Sequence, residues 1–400
     1  GGNMVLSGKR QTDLIRLCQE LIRRPSLSGK EREVALFTAE IMRSVGYDDV
    51  TIDAYGNVIG RIFFATPGKR LLFESQMDHV DPGIPTDWSY YPYGAFIKNG
   101  CIYGRGASDQ KGCLAAMIMA GAALKEDQHK NLQGEIVVAG TVFQERFEGI
   151  SSRAVALSYP PDFVVIGEAS QLEVERGQRG RAEIVIETQG RMAHSAQPEY
   201  GTNAADAMTR ILSSIHCSFK PDSDPYLGQG ILVLTNLRTF PEFTNGMVPQ
   251  VCKATYDLRL LPYDTPEKIL DRLQIIVNTK KNDMEGIRTL IYISATEDRC
   301  YTGAPIRGKH FARAWVLPED SFYLKKVLEG VEKAGLAPRL SESPGFGTNG
   351  CYYAGEMGIP TVAFGPSCRE LAHTVDEYIE IEQLALAYRG YCGIAESILS

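Results

Sequence analysis

Two short, continuously apolar segments are the strongest constraint on the fold of this chain. They are "EIVVAGTVF" (135–143) and "DFVVIGEAS" (162–170). Unbroken apolar runs of this length are typical of parallel strands that are buried on both faces. A third such segment, "RLLFES" (70–75), precedes a helical pattern that is apolar on most sides (114–127). The alternation of strands and helices predicts an α/β fold, with a mostly parallel sheet and helices on both faces.

The N-terminal region predicts two helices and a hairpin. Apolar residues recur at helical spacing over 12–24 and again over 28–46. Ser28, followed three residues later by Glu31, is typical of a capping box that starts the second helix. A β-hairpin is predicted over 50–64.

The pattern changes near residue 181. The segment "RAEIVIETQG" (181–190) alternates apolar and polar residues, as expected of a strand with one face in water. The elements predicted next are helices at 203–216 and 265–278 and strands at 230–237 and 250–260. The buried pattern then returns and ends in a helix near 382–398. We therefore predict an α/β domain made of residues 4–180 and 299–400, interrupted by an inserted α+β domain at 181–298.

Composition excludes several classes of function. A formal net charge of −7 gives no basic surface for nucleic acid. No apolar run approaches the ~20 residues that a membrane span needs. The nine cysteines include no CxxC pair, which favours reduced thiols and a cytoplasmic protein. Gly1, Gly2 and Asn3, before Met4, resemble a cloning remnant.

Acidic residues and one histidine follow the predicted strands at their carboxyl ends, where open α/β sheets build their sites. They are Asp78, Glu145, Glu148, Glu168 and His373, joined by Asp109 in a glycine-rich turn that leads into the helix predicted at 114–127. Taken singly, each has an ordinary explanation: Asp109 could cap a helix, Glu168 could be a solvated loop residue, and His373 could lie on the surface. Carboxylates that converge on one edge repel each other unless a cation lies among them. The set as a whole therefore favours a site for Zn²⁺ or Mn²⁺.

Over residues 12–400 the sequence resembles the co-catalytic dizinc aminoacylase, carboxypeptidase-G and succinyl-diaminopimelate desuccinylase family of metallopeptidases. Within that family it is most similar to the selenium-metabolism-linked hydrolase subgroup. The matching segments are "QMDHVDP", "YGRGASDQKG", "GTVFQERFEG", "VVIGEAS", "RGQRGRAEI", "GRMAHSAQPEYGTNAAD", "DLRLLP", "GTNG" and "AHTVDE". The resemblance implies a zinc-exopeptidase-like catalytic domain, an inserted lid domain that forms a homodimer, and hydrolysis of an amide bond in a small acylated amino acid or peptide.

The resemblance also implies metal ligands. Asp109 would bridge two metal ions, most simply Zn²⁺, with Mn²⁺ or Co²⁺ as alternatives. Glu145 and His373 would complete the first metal site and Glu168 would bind the second ion. Asp78 would orient a ligand from behind the ligand set.

Four further residues would act on the substrate. His194, in the inserted domain, would stabilise the oxyanion of the tetrahedral intermediate. Asn245, Arg259 and the "GTNG" loop, which contains Asn349, would bind the substrate carboxylate or carbonyl. Arg259 has an ordinary alternative, which is an ion pair with Asp257.

Two glutamines depart from the family pattern. Gln76 stands where the family has a histidine ligand of the second metal, and Gln144 stands where it has the glutamate that acts as general base. A carboxamide oxygen is a weaker zinc ligand than imidazole, and Gln144 cannot accept a proton near neutral pH. We expect His79 not to replace Gln76, because side chains three residues apart in an extended chain point to opposite faces.

Three interpretations follow from these departures. The protein is a metal-dependent hydrolase with an altered mechanism or low activity, a natural non-hydrolytic relative that binds a ligand, or an engineered variant that traps substrate. A protein that acts only through assembly of its inserted domain is the remaining alternative. The retained Asp109, Glu145, His373 and His194 argue against it, because a scaffold needs none of them.

Overall fold

The computed structural model describes residues 8–242, 245–281 and 283–400. The interpretation of Gly1–Asn3 and the predicted domain start at Met4 lie outside these ranges. The helices are α1 (Gly8–Ile22), α2 (Arg32–Ser44), α3 (Gly112–Glu126), α4 (Ser152–Ser158), α5 (Ala204–Ser218), α6 (Pro266–Lys281), α7 (Phe322–Lys333) and α8 (Ile381–Leu399). Within the part of the chain that is described, none of these helices combines the length and the apolar character needed to span a membrane.

The strands are short except in the two main sheets. In chain order they are β1 (Asp49–Ile52), β2 (Val58–Phe63), β3 (Ala65–Gln76), β4 (Phe96–Lys98), β5 (Cys101–Tyr103), β6 (Gln133–Thr141), β7 (Phe163–Gly167), β8 (Gly177–Gln178), β9 (Gly180–Gln189), β10 (Ser223–Asp224), β11 (Gly228–Gln229), β12 (Ile231–Phe240), β13 (Val251–Leu260), β14 (Arg288–Ile293), β15 (Ala295–Arg299), β16 (Pro305–Lys309), β17 (Phe311–Ala312), β18 (Trp315–Val316), β19 (Thr361–Phe364) and β20 (Tyr378–Glu380).

The chain divides into two compact units. The first comprises the chain up to Gln178, Glu297–Arg307 and Val316–Ser400, and the second comprises Arg179–Thr296 and Gly308–Trp315. The second unit includes a short additional segment, residues 308–315, that the predicted inserted domain did not contain. This segment belongs there because β17 pairs with β9.

The first unit is built on a six-stranded sheet with the order β1-β2-β6-β3-β7-β19. The pairs β6/β3, β3/β7 and β7/β19 are parallel, and the pairs that join β1, β2 and β6 are antiparallel. The predicted mostly parallel α/β sheet is therefore confirmed, and the predicted hairpin is the β1/β2 pair. Unbroken apolar strands occur here because this sheet is covered on both faces.

Alternate residues of each central strand enter two different cores. On β3, Leu71 and Phe73 lie in the large core with α1, α2, α3, α7 and α8, whereas Leu72 lies in a smaller core on the opposite face. The smaller core is closed by α4 and by Tyr352 and Tyr353. Helix α3 is buried on nearly all sides because it lies in the large core.

The predicted capping box at Ser28 and Glu31 is wrong. Helix α2 begins at Arg32, and no side chain caps its N-terminus. The Ser28 hydroxyl donates instead to Asp78 Oδ2 at 2.7 Å, and the buried Glu31 carboxylate accepts the Phe143 N–H at 3.0 Å. Ser28 and Glu31 therefore connect the loop before α2 to the segments that follow β3 and β6.

The second unit is an antiparallel sheet covered by two helices on one face. Its order is β12-β13-β9-β14, and α5 and α6 pack against the inner face. Strand β14 was not predicted from the sequence. The outer face of β9 is less exposed than its alternation predicts, because Val185 and Glu187 are both covered.

Glu31 yields a prediction about stability and pH. Burial raises the pKa of Glu31 to about 7 from 4.5. A carboxyl whose pKa is raised on folding contributes stability that is present below pH 4.5 and is lost as the pH rises through 7. We expect the destabilisation caused by Glu31→Gln to be larger at pH 5 than at pH 8, by about 2.5 kcal/mol, measured as free energies of unfolding in urea. Glu33→Gln, on the exposed side of the same helix, controls for the loss of one charge. An equal effect of Glu31→Gln at both pH values would contradict the prediction.

Candidate active site

The carboxyl ends of three neighbouring parallel strands form one edge of the main sheet. Strand β3 ends at Gln76, which pairs with Thr141 at the end of β6, and β7 ends at Gly167. The segments that follow carry Asp78, Gln144, Glu145 and Glu168. Parallel strands place the residues that follow them on one edge, which explains why acidic residues distant in sequence come together here.

Asp109, Glu145 and His373 form a compact group of possible metal ligands. One ligand atom of each lies within 4.8 Å of the others. His373 Nε2 lies 2.8 Å from Asp109 Oδ2 and 3.6 Å from Glu145 Oε1. Hydrogen bonds to these two carboxylates raise the pKa of His373 to about 10. Two carboxylate oxygens and one imidazole nitrogen form a donor set that suits Zn²⁺ with one position left open.

Asp78 is buried and accepts hydrogen bonds from the main chain next to this group. Its carboxylate accepts N–H groups from Gln144 at 3.2 Å and Glu145 at 3.1 Å, and the Ser28 hydroxyl at 2.7 Å. Burial raises the pKa of Asp78 well above its ordinary range, and the nearby Glu145 raises it further. Asp78 thus fixes the turn from which the Glu145 side chain projects.

Gln76 contacts the same group as a donor. Its Nε2 donates to Glu145 Oε1 at 2.7 Å, so its amide N–H, rather than its oxygen, faces the carboxylate. His79 points elsewhere, as expected. Its Nε2 accepts the Ser26 N–H at 2.9 Å, and its Nδ1 contacts the Val80 carbonyl at 2.8 Å. Burial lowers the pKa of His79 to about 3.

Glu168 lies outside the group of three and is bonded to a residue that sequence analysis missed. Gln110 Nε2 donates to Glu168 Oε1 at 2.8 Å, and the Ala169 N–H donates to the same oxygen at 3.0 Å. The Cys113 thiol donates to Gln110 Oε1 at 3.1 Å and orients the amide. Burial, followed by the charge of Asp109, raises the pKa of Glu168 to about 7. The position of Gln110 directly after Asp109 was the available signal.

The remaining predicted residues of the first unit, Gln144 and Asn349, differ in how accessible their side-chain amides are to a ligand. Gln144 is partly exposed, and its Nε2 lies 3.4 Å from the Gly347 carbonyl. Asn349 is buried with both ends of its amide occupied, because Nδ2 donates to Glu74 Oε1 at 2.5 Å and Oδ1 accepts the Gly149 N–H at 2.8 Å. The "GTNG" loop therefore has its main chain, rather than the Asn349 side chain, to offer to a ligand.

The three predicted residues of the second unit are exposed. The Ala196 N–H donates to His194 Nδ1 at 3.0 Å. Because Nδ1 accepts, the neutral imidazole carries its proton on Nε2. Arg259 Nε lies 3.5 Å from Asp257 Oδ1, and the same carboxylate accepts two hydrogen bonds from Arg181. Asn245 has a left-handed backbone with φ of 42°.

The chain was compared with protein families, with curated sequences and with solved structures. Residues 72–397 match Peptidase family M20/M25/M40. The chain is 31% identical over 399 residues to the uncharacterised protein YgeY of Escherichia coli K12, covering 98% of this chain and 95% of that protein. It is 23% identical over 405 residues to the succinyl-diaminopimelate desuccinylase of Halorhodospira halophila, covering 96% of this chain and 98% of that enzyme. The fold is similar to that of aminopeptidase PepT from Bacillus cereus, with a TM-score of 0.74, 21% identity, and coverage of 98% and 99%. The chain therefore belongs to peptidase family M20/M25/M40, a family of metal-dependent amidohydrolases and metallopeptidases.

Proposed function

We propose that this protein hydrolyses the C–N amide bond of a small acylated amino acid or peptide, using one tightly held divalent metal ion. The observation that carries the proposal is the convergence of Asp109, Glu145 and His373 within 4.8 Å. Membership of the family supports metal-dependent hydrolysis of this class of bond. Zn²⁺ is the proposed ion because the donors are two carboxylates and one imidazole, and Mn²⁺ and Co²⁺ are alternatives.

The chain's own residues have separate tasks in this proposal. A zinc ion bound at the group would supply Lewis acidity toward water and the substrate carbonyl. Asp78 keeps Glu145 in position through the main chain. Gln144 cannot take a proton at neutral pH, and loss of a general base costs ~10²–10⁴-fold in rate. Slow turnover is therefore part of the proposal.

Hydrogen bonds of Gln76 and Glu168 support one ion rather than two. For Gln76 to bind a metal through its oxygen, the amide would have to reverse and give up its 2.7 Å bond to Glu145. Glu168 Oε1 already accepts two N–H groups. Assignment of Gln76 and Glu168 as ligands of a second ion therefore remains a prediction, and we expect that ion to bind weakly.

We propose that residues of the second unit and the 347–350 loop recognise the substrate. His194 would donate its Nε2–H to the oxyanion. Arg259 is exposed, and its guanidinium would pair with a substrate carboxylate. Asn245 would add an amide contact. At Asn349 we propose contact through the loop main chain, because the side-chain amide is occupied.

We further propose a homodimer formed by β12. This strand ends the sheet of the second unit, and Ile231, Val233 and Leu237 on it are 39%, 49% and 50% exposed. Edge strands that carry apolar side chains associate readily.

The second candidate function is binding of an amide ligand without hydrolysis. Gln76 and Gln144 favour it, since neutral amides replace a metal ligand and a base at the same site. Metal content and the effect of restoring both residues distinguish the two functions.

The first prediction concerns metal content. We expect about one zinc per chain to survive dialysis against a chelator, measured by elemental analysis, because one ligand set is complete. Asp109→Asn or His373→Asn should abolish retention, whereas His194→Ala, outside the ligand set, should not. Two equivalents that survive dialysis would contradict the single-ion proposal.

The second prediction concerns the two glutamines. Gln144→Glu supplies a proton acceptor and Gln76→His supplies an imidazole, so we expect the double variant to gain at least ~10²-fold in kcat/KM on the best substrate of an N-acyl amino acid and dipeptide panel. The effects of the two single changes should be non-additive, because both residues serve one catalytic unit.

Gln11→Glu, on α1, is the matched control for a change from glutamine to glutamate. A wild-type protein that turns over at an ordinary enzymatic rate and is faster than the double variant would show that the glutamines belong to a working mechanism. A wild type and a double variant that are both inactive, yet bind panel compounds, would favour the non-hydrolytic function.

The third prediction concerns assembly. Val233→Lys with Leu237→Lys should convert a dimer into a monomer in light scattering, because two charges would enter an apolar contact. Ile275→Lys, an exposed apolar position on α6, is the control and should leave the dimer intact. A wild-type monomer at micromolar concentration would contradict the proposed dimer.

A further inference from the structure

Glu377 joins the two chain segments that carry Asp109 and His373. Its carboxylate is fully buried and accepts four N–H groups. Oε1 accepts from Arg105 Nη1 at 2.8 Å and from the Gly106 main chain at 3.2 Å. Oε2 accepts from the main chain of Ser108 at 2.8 Å and of Asp109 at 3.1 Å. Both oxygens are thus saturated by the turn that presents Asp109.

Arg105 extends the link to the histidine. The same Nη1 that donates to Glu377 also donates to the Thr374 carbonyl at 3.0 Å, directly after His373. The guanidinium is buried and lies 5.0 Å from the centre of the Trp88 ring. A main-chain bond from the Gly104 N–H to the Glu377 carbonyl, at 2.8 Å, runs beside the ion pair. The segments 104–109 and 373–377 are therefore held together at several points.

His373 needs such support because its backbone is unfavourable. Its φ is +62°, in the left-handed region, which costs free energy for a residue other than glycine and persists where the surroundings fix it. The neighbours that fix it are Thr374, bonded to Arg105, and Glu377 itself. The resulting position sets the 2.8 Å distance between His373 Nε2 and Asp109 Oδ2.

A carboxylate is the side chain that this arrangement requires. Each oxygen of Glu377 accepts two N–H groups, and an amide has one oxygen only. With glutamine at this position, an NH₂ group would face either Arg105 and Gly106 or Ser108 and Asp109. In both orientations two buried donors lose their acceptor, which is costly in a site closed to water.

We propose that Glu377, with Arg105, is a positioning residue that holds Asp109 and His373 at the spacing a metal ion requires. The inference rests on the metal site of the proposed function. It adds a link between the two ligand-bearing segments that does not itself touch metal or substrate. Loss of this link should weaken metal binding, since outer partners of ligands typically contribute 10–100-fold in metal affinity.

Asp53 offers a matched control in the same unit. Its Oδ1 accepts the main-chain N–H groups of Tyr55, Gly56 and Asn57, each at 3.0 Å, and its Oδ2 accepts Asn57 Nδ2 at 2.8 Å. Like Glu377, it binds three main-chain donors and one side-chain donor. Unlike Glu377, it contacts neither Asp109 nor His373.

The experiment compares zinc affinity with stability in Glu377→Gln, Glu377→Asp and Asp53→Asn. Zinc affinity is measured by competition with a chromophoric chelator, and stability by urea unfolding of the metal-free proteins. We expect Glu377→Gln to bind zinc 10–100-fold more weakly than wild type. Asp53→Asn should lose stability but bind zinc within about 2-fold of wild type, since its loop holds no ligand.

Glu377→Asp keeps the carboxylate and should recover part of the affinity lost in Glu377→Gln. If Glu377→Gln does not fold, Glu377→Asp and Arg105→Lys carry the test, because each keeps its charge while weakening the hydrogen bonds between the two segments. Folded variants at 377 and 105 that bind zinc as wild type does would overturn the inference, as would an equal loss of affinity in Asp53→Asn. A wild-type protein that binds no zinc would instead overturn the proposed function, and this inference with it.

Discussion

Negative charge gathered at one buried edge of the main sheet is the constraint on which the rest of the site depends. Burial, followed by the charges of neighbouring carboxylates, raises the pKa values of Asp78, Glu145, Glu168 and Glu377, so each ionised carboxylate there needs compensating partners. Main-chain N–H groups supply most of them. The loops after β6 and β7 and the turn before α3 bend in ways that point their N–H groups at these carboxylates.

The groups that compensate the negative charge differ from one carboxylate to the next along this edge of the sheet. At Asp109 and Glu145 the compensation comes from His373, whose Nε2 lies near both carboxylates and would bind the proposed metal ion together with them. Neutral amides also contribute: Gln110 donates to Glu168, and Gln76 donates to Glu145 Oε1, the same oxygen that faces His373. An amide donor lowers the cost of a buried carboxylate without a cation, and it also occupies the oxygen that a cation would use. The same edge thus combines two carboxylates that contact an imidazole, Asp109 and Glu145, with a third, Glu168, one of whose oxygens already accepts two hydrogen bonds.

The fold could be predicted further from the sequence than the site could. Continuous apolar runs predicted β3, β6 and β7 because a strand covered on both faces leaves a direct trace in composition. Strand β14 was missed, since its neighbours are distant in sequence and its own alternation is short. Ser28 and Glu31 were misassigned because the residue types that cap a helix are also those that bind a distant main chain.

The convergence of Asp109, Glu145 and His373 was predictable because each follows or lies near a strand end and each has a chemically distinctive side chain. Glu377 and Gln110 were not predictable in the same way. Both lie in segments that match the family, "YGRGASDQKG" and "AHTVDE", but their partners are main-chain N–H groups and the buried Glu168, and contacts of this kind are visible only in the structure. Asn349 shows the reverse case, in which a motif residue turns out to serve a buried network around Glu74.

The order of the strands has a consequence for synthesis on the ribosome. Strand β19 pairs with β7, yet the whole second unit is translated between them. The nascent chain therefore exposes one edge of β7 until β19 has emerged, whereas all strands of the second unit's sheet emerge before β19. His373 emerges later still, so Asp109 and Glu145 lack their imidazole partner until then. Residues from β19 to His373 therefore both cover the edge of β7 and bring the imidazole to the carboxylates, so loss of this segment would leave the sheet and the cluster incomplete together.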